Sequence, residues 1–480
     1  STNVSRSIGR SGAGAITFDY QTSSNKIRKF GGGATESDYA TGVSMAGGEA
    51  FQFAIDSDAE ELKLFVNNTQ EGSTLDISSL TKPYKIISQL YSGGTVDHTL
   101  VANSADFENN VPTGYKTINT ANLPAPTVTD PSAFFQNVLY DGTGSTQSIT
   151  LGGNSNMQPD FVWIKRRNVS ETIHNLFDSV RGATKHLNTS SNTAQVTTAD
   201  TLTSFDSDGF SLGADASGFG VNVSTGGSKY VAWCWKAGGS GSSNSDGNIA
   251  STVSVASHNG FSIVKYDPGS GGSAGDTVGH GMGKAPNVII SKPLENVGDT
   301  NWQYGTDAIG WTRSLFLNTA GAQATASNYW NNTAPTSTVF SLGSDRDNDT
   351  EYIAYCFAKT PGLIGIGSYT GNNDADGTYV VVDDGAFGFR PAWLLMKNIN
   401  DTENWVLMDS ARSPFNAVDG YLSPNTNAQD TSATGLPLDF TANGFKQRNN
   451  SNMTNEDTII YLAFAENPFG GSGVAQAKAR

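Results

Sequence analysis

The chain has 480 residues, of which 15% are charged, and a formal net charge of −16. At roughly 100–200 residues per domain the length predicts three to five domains, and the acidity opposes a polyanionic partner, so no nucleic-acid role is expected. No apolar run approaches about 18 residues and the stretch from Ser1 is polar, so neither membrane insertion nor a secretory leader is expected.

Glycine is abundant (54), and short runs of Val, Ile, Phe, Tyr and Thr stand between turn residues, which predicts an all-β protein. Residues 1–14 have the composition of an N-terminal arm. Strand patterns follow. Phe51, Phe53 and Ile55 alternate with Gln52 and Ala54, and Leu62, Leu64 and Val66 alternate with Lys63 and Phe65, before Asn67-Asn68 turns the chain. Thr99-Leu100-Val101 reads as a further strand. In order, Phe65-Val66-Asn67, the segment from Asn103 to Phe107, and Pro112-Thr113-Gly114-Tyr115 resemble the second half of a SPRY domain, which assigns 15–116 as a SPRY-like β-sandwich. Residues 117–133, with Pro124, Pro126 and Pro131, read as a stiff linker.

A threefold internal repeat follows. Pro159-Asp160-Phe161-Val162-Trp163-Ile164-Lys165 is echoed by Pro286-Asn287-Val288-Ile289-Ile290-Ser291-Lys292 and by Pro391-Ala392-Trp393-Leu394-Leu395-Met396-Lys397. Each is answered at near-constant distance by a second signature: Tyr230-Val231-Ala232-Trp233, Tyr352-Ile353-Ala354-Tyr355 and Tyr461-Leu462-Ala463-Phe464. A unit of this size is a domain rather than a solenoid turn, and its short strands predict a two-sheet antiparallel sandwich. The expected units are 134–240, 259–362 and 363–470, with a linker at 241–258 and a tail at 471–480. Asp208-Gly209 and Asn443-Gly444 read as hairpin turns in the first and third units.

Tyr115 to Thr127, the Pro159 signature, and Phe177-Asp178-Ser179-Val180-Arg181-Gly182 together resemble a repeat found in virion proteins of marine tailed phages. The resemblance implies concanavalin-like jelly rolls and a virion protein made in the host cytoplasm. On it rests the expectation of an elongated string of sandwiches serving as a tail fibre, spike, capsid fibre or decoration protein. The implied partners are further copies of the chain (a homotrimer first), other virion proteins and host-surface polysaccharide.

Chemistry is sparse. His98, His174, His186, His258 and His280 have no zinc-ligand spacing, and no nucleophile elbow or phosphate loop is present. The carboxylate pattern of jelly-roll glycosidases is missing, so the expected protein is not an enzyme; a carbohydrate-active depolymerase and a cellular lectin are the alternatives. Cys234 and Cys356 occupy equivalent repeat positions, too far apart for a bridge, and read as buried strand residues. Asp178 with Arg181, echoed by Asp409 with Arg412, reads as an ion pair pinning a loop. Asp345, Asp347 and Asp349 alternate as Ca²⁺ ligands can, but the EF-hand glycine and distal glutamate are absent, so a solvated turn without cofactor is the first expectation. In the second repeat Trp302, Tyr304, Trp311 and Trp330 gather where the Arg-Gly loop is lost, a candidate glycan-stacking platform beside the plainer reading of core or interface.

Overall fold

The computed structural model describes residues 4–9, 15–21, 25–31, 37–43, 51–78, 86–90, 110–296, 300–346, 349–432 and 435–471, with 474, 475 and 477. The Thr99–Val101 run, the Asn103-to-Phe107 segment, His98 and Asp347 lie outside these residues. As expected, the protein is all-β: among the described residues the helical segments are one α-helical turn at Ser327–Trp330 and 3-10 turns at Thr120–Asn122 and Pro131–Ala133, and the paired strands are antiparallel. It divides into two compact units, 1–122 and 123–480.

Among the described residues the first unit has a five-stranded and a three-stranded sheet. Val4–Gly9, expected within an arm, is instead an inner strand, paired to Ala15–Gln21 on one side and Ile86–Leu90 on the other. Leu62, Leu64 and Val66 are buried with Phe18 and Ile27, as period two predicts. Asn67 and Asn68, both at positive φ, close a two-residue hairpin between Val66 and Thr69. On the neighbouring strand Gln52 and Ala54 are buried, and Phe51, Phe53 and Ile55 are half-buried against the core.

In the second unit each repeat has a large sheet and a small one. The large sheets share one strand order. In the first repeat Phe135–Asp141 pairs with Lys229–Trp235, which pairs with Phe161–Arg166, then with His174–Asp178 and Lys185–Asn188. Phe261–Tyr266, Tyr352–Phe357, Val288–Pro293, Gln303–Thr306 and Arg313–Phe316 repeat this order. The third repeat follows with Ile364–Thr370, Thr458–Pro468, Phe389–Asn398 and Val406–Asp409. The two signatures are thus the two central, mutually paired strands of each sheet.

Both faces of these central strands are buried, and period two divides them between two cores. Val162, Ile164, Tyr230, Ala232 and Cys234 face the small sheet of their own repeat. The alternate residues Phe161, Trp163, Val231, Trp233 and Trp235 face a core that all three repeats share. Val288, Ile290, Ile353, Tyr355 and Phe357 enter it from the second repeat, and Trp393, Leu395, Ile460, Leu462 and Phe464 from the third. Rings meet across every boundary: Phe161 with Tyr355 at 4.4 Å, Trp235 with Phe464 at 5.6 Å, and Phe357 with Phe464 at 5.9 Å. The central void is only about 10 Å³.

This corrects the expectation of a string of sandwiches with separate cores. A strand that is apolar on both faces needs a layer on both sides, and one sandwich partner supplies only one. The linkers are corrected as well. Val128 joins the shared core and its N–H donates to the Pro361 carbonyl at 3.0 Å. The 241–258 stretch contributes the strands Ser242–Asn244 and Ser251–Val255, which extend the second repeat's sheet to eight.

Candidate functional site

The seams between repeats gather most of the residues that stood out in the sequence. The lock begins in the main chain. The Gln195 N–H donates to the Leu294 carbonyl at 2.8 Å, Gln323 to Ile399 at 2.9 Å, and Asp430 to Arg167 at 2.6 Å. These acceptors each lie two residues beyond a signature lysine, so one bond recurs from repeat 1 to 2, 2 to 3, and 3 to 1. That cycle closes the three repeats into a pseudo-threefold ring.

Side chains reinforce it. Asp178 Oδ1 accepts from the N–H groups of Val180 (3.1 Å) and Arg181 (2.8 Å), its Oδ2 is paired with the Arg181 guanidinium, and Arg181 also donates to the Leu176 carbonyl at 2.9 Å. Into this pair Tyr355 of the second repeat donates its hydroxyl, 2.8 Å from Asp178 Oδ2. The third repeat copies the arrangement. Arg412 meets Asp409 at 2.5 Å and the Leu407 carbonyl at 2.9 Å, while Trp233 of the first repeat donates its indole N–H to Asp409 at 3.1 Å. Both ion pairs are buried. The expected loop pin is present, and it is also the clamp between repeats. In the second repeat Thr306 holds this register, paired with Val288 as Asp178 is with Phe161, and the Asp307 that follows bonds the Asn287 side chain of its own repeat at 2.7 Å.

Four residues before Thr306 and Asp409, Trp302 donates to the Asn188 carbonyl at 2.7 Å and Trp405 to the Phe316 carbonyl at 3.0 Å, each bridging to the preceding repeat. His174 holds the matching place in the first repeat and faces the Ser423 carbonyl. Burial, with Lys165 and Arg412 nearby, keeps its ring neutral, and its Nδ1 accepts from the Trp163 indole at 3.0 Å.

The aromatic platform is corrected by these contacts. Trp302 and Tyr304 are 0% and 1% exposed in the shared core, and Trp311 and Trp330 are 7% and 1% exposed in the second repeat's own core. Gly305 is what lets Trp311 and Trp330 meet edge-on at 5.5 Å, since a Cβ there would lie within about 2.7 Å of both rings. Rings so enclosed offer no face to a sugar. Of the acidic trio, Asp345 accepts from the Asn328 side chain, Asp349 is exposed, and Asp347 lies outside the described residues. Among the described residues no three His, Cys, Asp or Glu side chains are placed to hold a metal.

The signature lysines are wholly buried. Lys165 donates to the carbonyl and hydroxyl of Thr172 (2.8 and 2.7 Å), Lys292 to the Asn192 and Pro293 carbonyls (3.3 and 3.1 Å), and Lys397 to the Asp401 carbonyl at 3.1 Å. Burial pulls Lys165 down to about 7, with Arg166 adding and Asp430 opposing, and Lys397 down to about 8. Cys234 and Cys356 are buried and unbridged, and burial pushes both thiols upward, Cys356 to about 12.

What was not readable from the sequence is the partner of each group. Tyr355 and Trp233 stand in the second signature as core aromatics, and Gln195 and Asp430 lie in unremarkable loops. Trp233 and Tyr355 hold the same fourth place of the second signature, and that equivalence is the signal that could have paired them. A family model with the description "Domain of unknown function (DUF7483)" matches residues 130–468, a span covering nearly all of the ring. No curated protein and no solved structure matches.

Proposed function

The chain belongs to the DUF7483 family, and from that premise we propose that it is a non-enzymatic structural protein of a bacteriophage particle, carried on a tail fibre, spike or capsid. One observation carries this reading: the charged and aromatic residues that recur between repeats are spent on locking three sheets into a ring. A ring closed by buried clamps and a common core is a rigid body, suited to bearing load and presenting surfaces. The sequence resemblance to virion repeats supplies the setting. The arrangement a homotrimer builds from three chains is here supplied within one, so a single copy can occupy a threefold environment. In this reading contacts with the particle and with host glycans are made by the ring's exterior, and Trp302, Tyr304, Trp311 and Trp330 serve stability.

Antibodies raised against the purified chain test the proposal. Immunogold labelling of purified particles at a regular position is expected, together with no release of soluble glycan when the protein is incubated with host-surface polysaccharide. Label confined to the soluble lysate fraction, or catalytic glycan release, overturns it.

A further inference from the structure

The small sheets of the first and third repeats are built alike, and they differ on their outer face. In the first repeat Gln147–Thr150 pairs with Gly209–Leu212, which pairs with Leu202–Asp206. In the third, Tyr379–Val381 pairs with Gly444–Gln447, which pairs with Leu438–Thr441. The inward residues match: Ile149, Phe210 and Phe205 correspond to Val380, Phe445 and Phe440. The outward ones do not. In the first repeat Ser148 bonds Ser211 at 2.9 Å, and Asp206 accepts from Ser211 and Ser204 at 2.7 Å each, so the row satisfies itself. In the third repeat the positions of Ser148 and Thr150 carry Tyr379 and Val381, each 48% exposed, with Phe387 (42% exposed) on the adjoining turn. Tyr379 donates its hydroxyl to the Asn443 side chain, which leaves one face of its ring open beside Val381.

Tyr379–Val381 is also a sheet edge. Val382 donates to the Asn443 carbonyl, and Gln447 donates to the Thr378 carbonyl, both at 3.0 Å. Antiparallel alternation therefore turns the main-chain groups of 378, 380 and 382 inward, and those of Tyr379 and Val381 toward the open edge. In the second repeat the chain covers the equivalent edge itself, through a parallel bridge from Ile249 to Val278. Among the described residues nothing covers it in the third.

We propose that a second copy of the chain covers it, the two Tyr379–Val381 strands pairing antiparallel about a twofold axis. The register is self-complementary. Centred on Val380, it sets Tyr379 of each copy opposite Val381 of the other, so the outward main-chain groups of both residues bond reciprocally and each ring packs on a β-branched side chain. Charge suits the same partner. Lys446 and Arg448 on this face pair with Asp376 and Asp439, leaving it neutral in a chain of net charge −16, and alternating signs can exchange partners across a twofold. The inference goes beyond the virion reading and stands without it.

Sedimentation equilibrium of the full chain over roughly 1 μM to 1 mM, the range of a weak interface, tests it. The expected result is a reversible shift from about 50 to about 100 kDa. Val381→Lys, which places an edge charge where pairing must occur, should weaken association at least tenfold without moving the melting temperature. Tyr379→Ser with Val381→Thr, the pair the first repeat carries, should do the same, and Ser148→Lys on the first repeat's edge should leave association unchanged. Wild-type protein that stays a monomer throughout overturns the proposal, leaving the edge to a different chain or to none. Undiminished association in Val381→Lys, or in the serine–threonine double variant, overturns it equally.

Discussion

Replacing Asp178 by asparagine removes one charge from a clamp that two repeats share. The side chain keeps its shape and can still accept the N–H bonds of Val180 and Arg181. It no longer compensates the Arg181 guanidinium, whose side chain is 1% exposed and keeps neutral acceptors, the Leu176 carbonyl at 2.9 Å, Gln195 Oε1 at 3.3 Å and the Tyr355 hydroxyl at 3.5 Å. Removing one partner of a buried pair costs about 3–5 kcal/mol. The Tyr355 hydroxyl bond, worth about 1.5–3 kcal/mol when its acceptor is charged, weakens together with it and does not add independently. Urea unfolding of the full chain should therefore show an Asp178→Asn loss near 3–5 kcal/mol. Asp178→Asn combined with Arg181→Met should lose less than that, because neither charge is left buried alone. The second repeat carries Thr306 in this register and has no buried ion pair there. A single-variant loss below about 1 kcal/mol, or a double variant as unstable as the sum of the singles, refutes the clamp.

Lys165→Met should flatten a pH dependence. Lys165 is held near 7 in the folded chain against about 10.4 unfolded, so from pH 7 to about 9.5 the unfolded state binds more protons and stability rises with pH, by up to about 1.4 kcal/mol per unit. Below pH 7 the ammonium is charged in both states and that gain is absent; an equal slope in the variant would contradict the assignment. Trp302→Ala should destabilise by about 3–5 kcal/mol through a cavity in the shared core, read as a lower urea midpoint, and glycan-array signal per folded molecule should not change. Cys234 and Cys356 should react with Ellman's reagent at pH 8 only after denaturation, since both thiols are buried and shifted upward.

Much of this fold was legible in the sequence, and the reason it was not all legible lies in particular residues. Period two in Leu62, Leu64 and Val66 finds a one-faced strand because the alternate positions are less apolar. Phe161 to Ile164 has no polar alternate, so the pattern says only that both faces are buried and not what covers the second one. Asp178 and Arg181 were recognisable as a pair because they lie three residues apart; Tyr355, which completes the clamp, lies in another repeat. Trp302 and Trp311 looked like a platform because aromatics fill cores and bind ligands by the same chemistry. Only Gly305 and the seam bond to Asn188 separate the two roles. The outward position of Tyr379 becomes visible only once Val380 is known to point inward.

The closed ring is tested most directly by hydrogen exchange of the full chain, read by mass spectrometry on the three central strand pairs, in wild type and Trp163→Ala. Trp163 belongs to the first repeat but packs in the core common to all three, 6.3 Å from Trp393. A shared core predicts that protection falls together in Phe161–Arg166, Val288–Pro293 and Phe389–Asn398. Loss confined to 134–240, with the other two strand pairs exchanging as in wild type, would show three independent cores and contradict the ring.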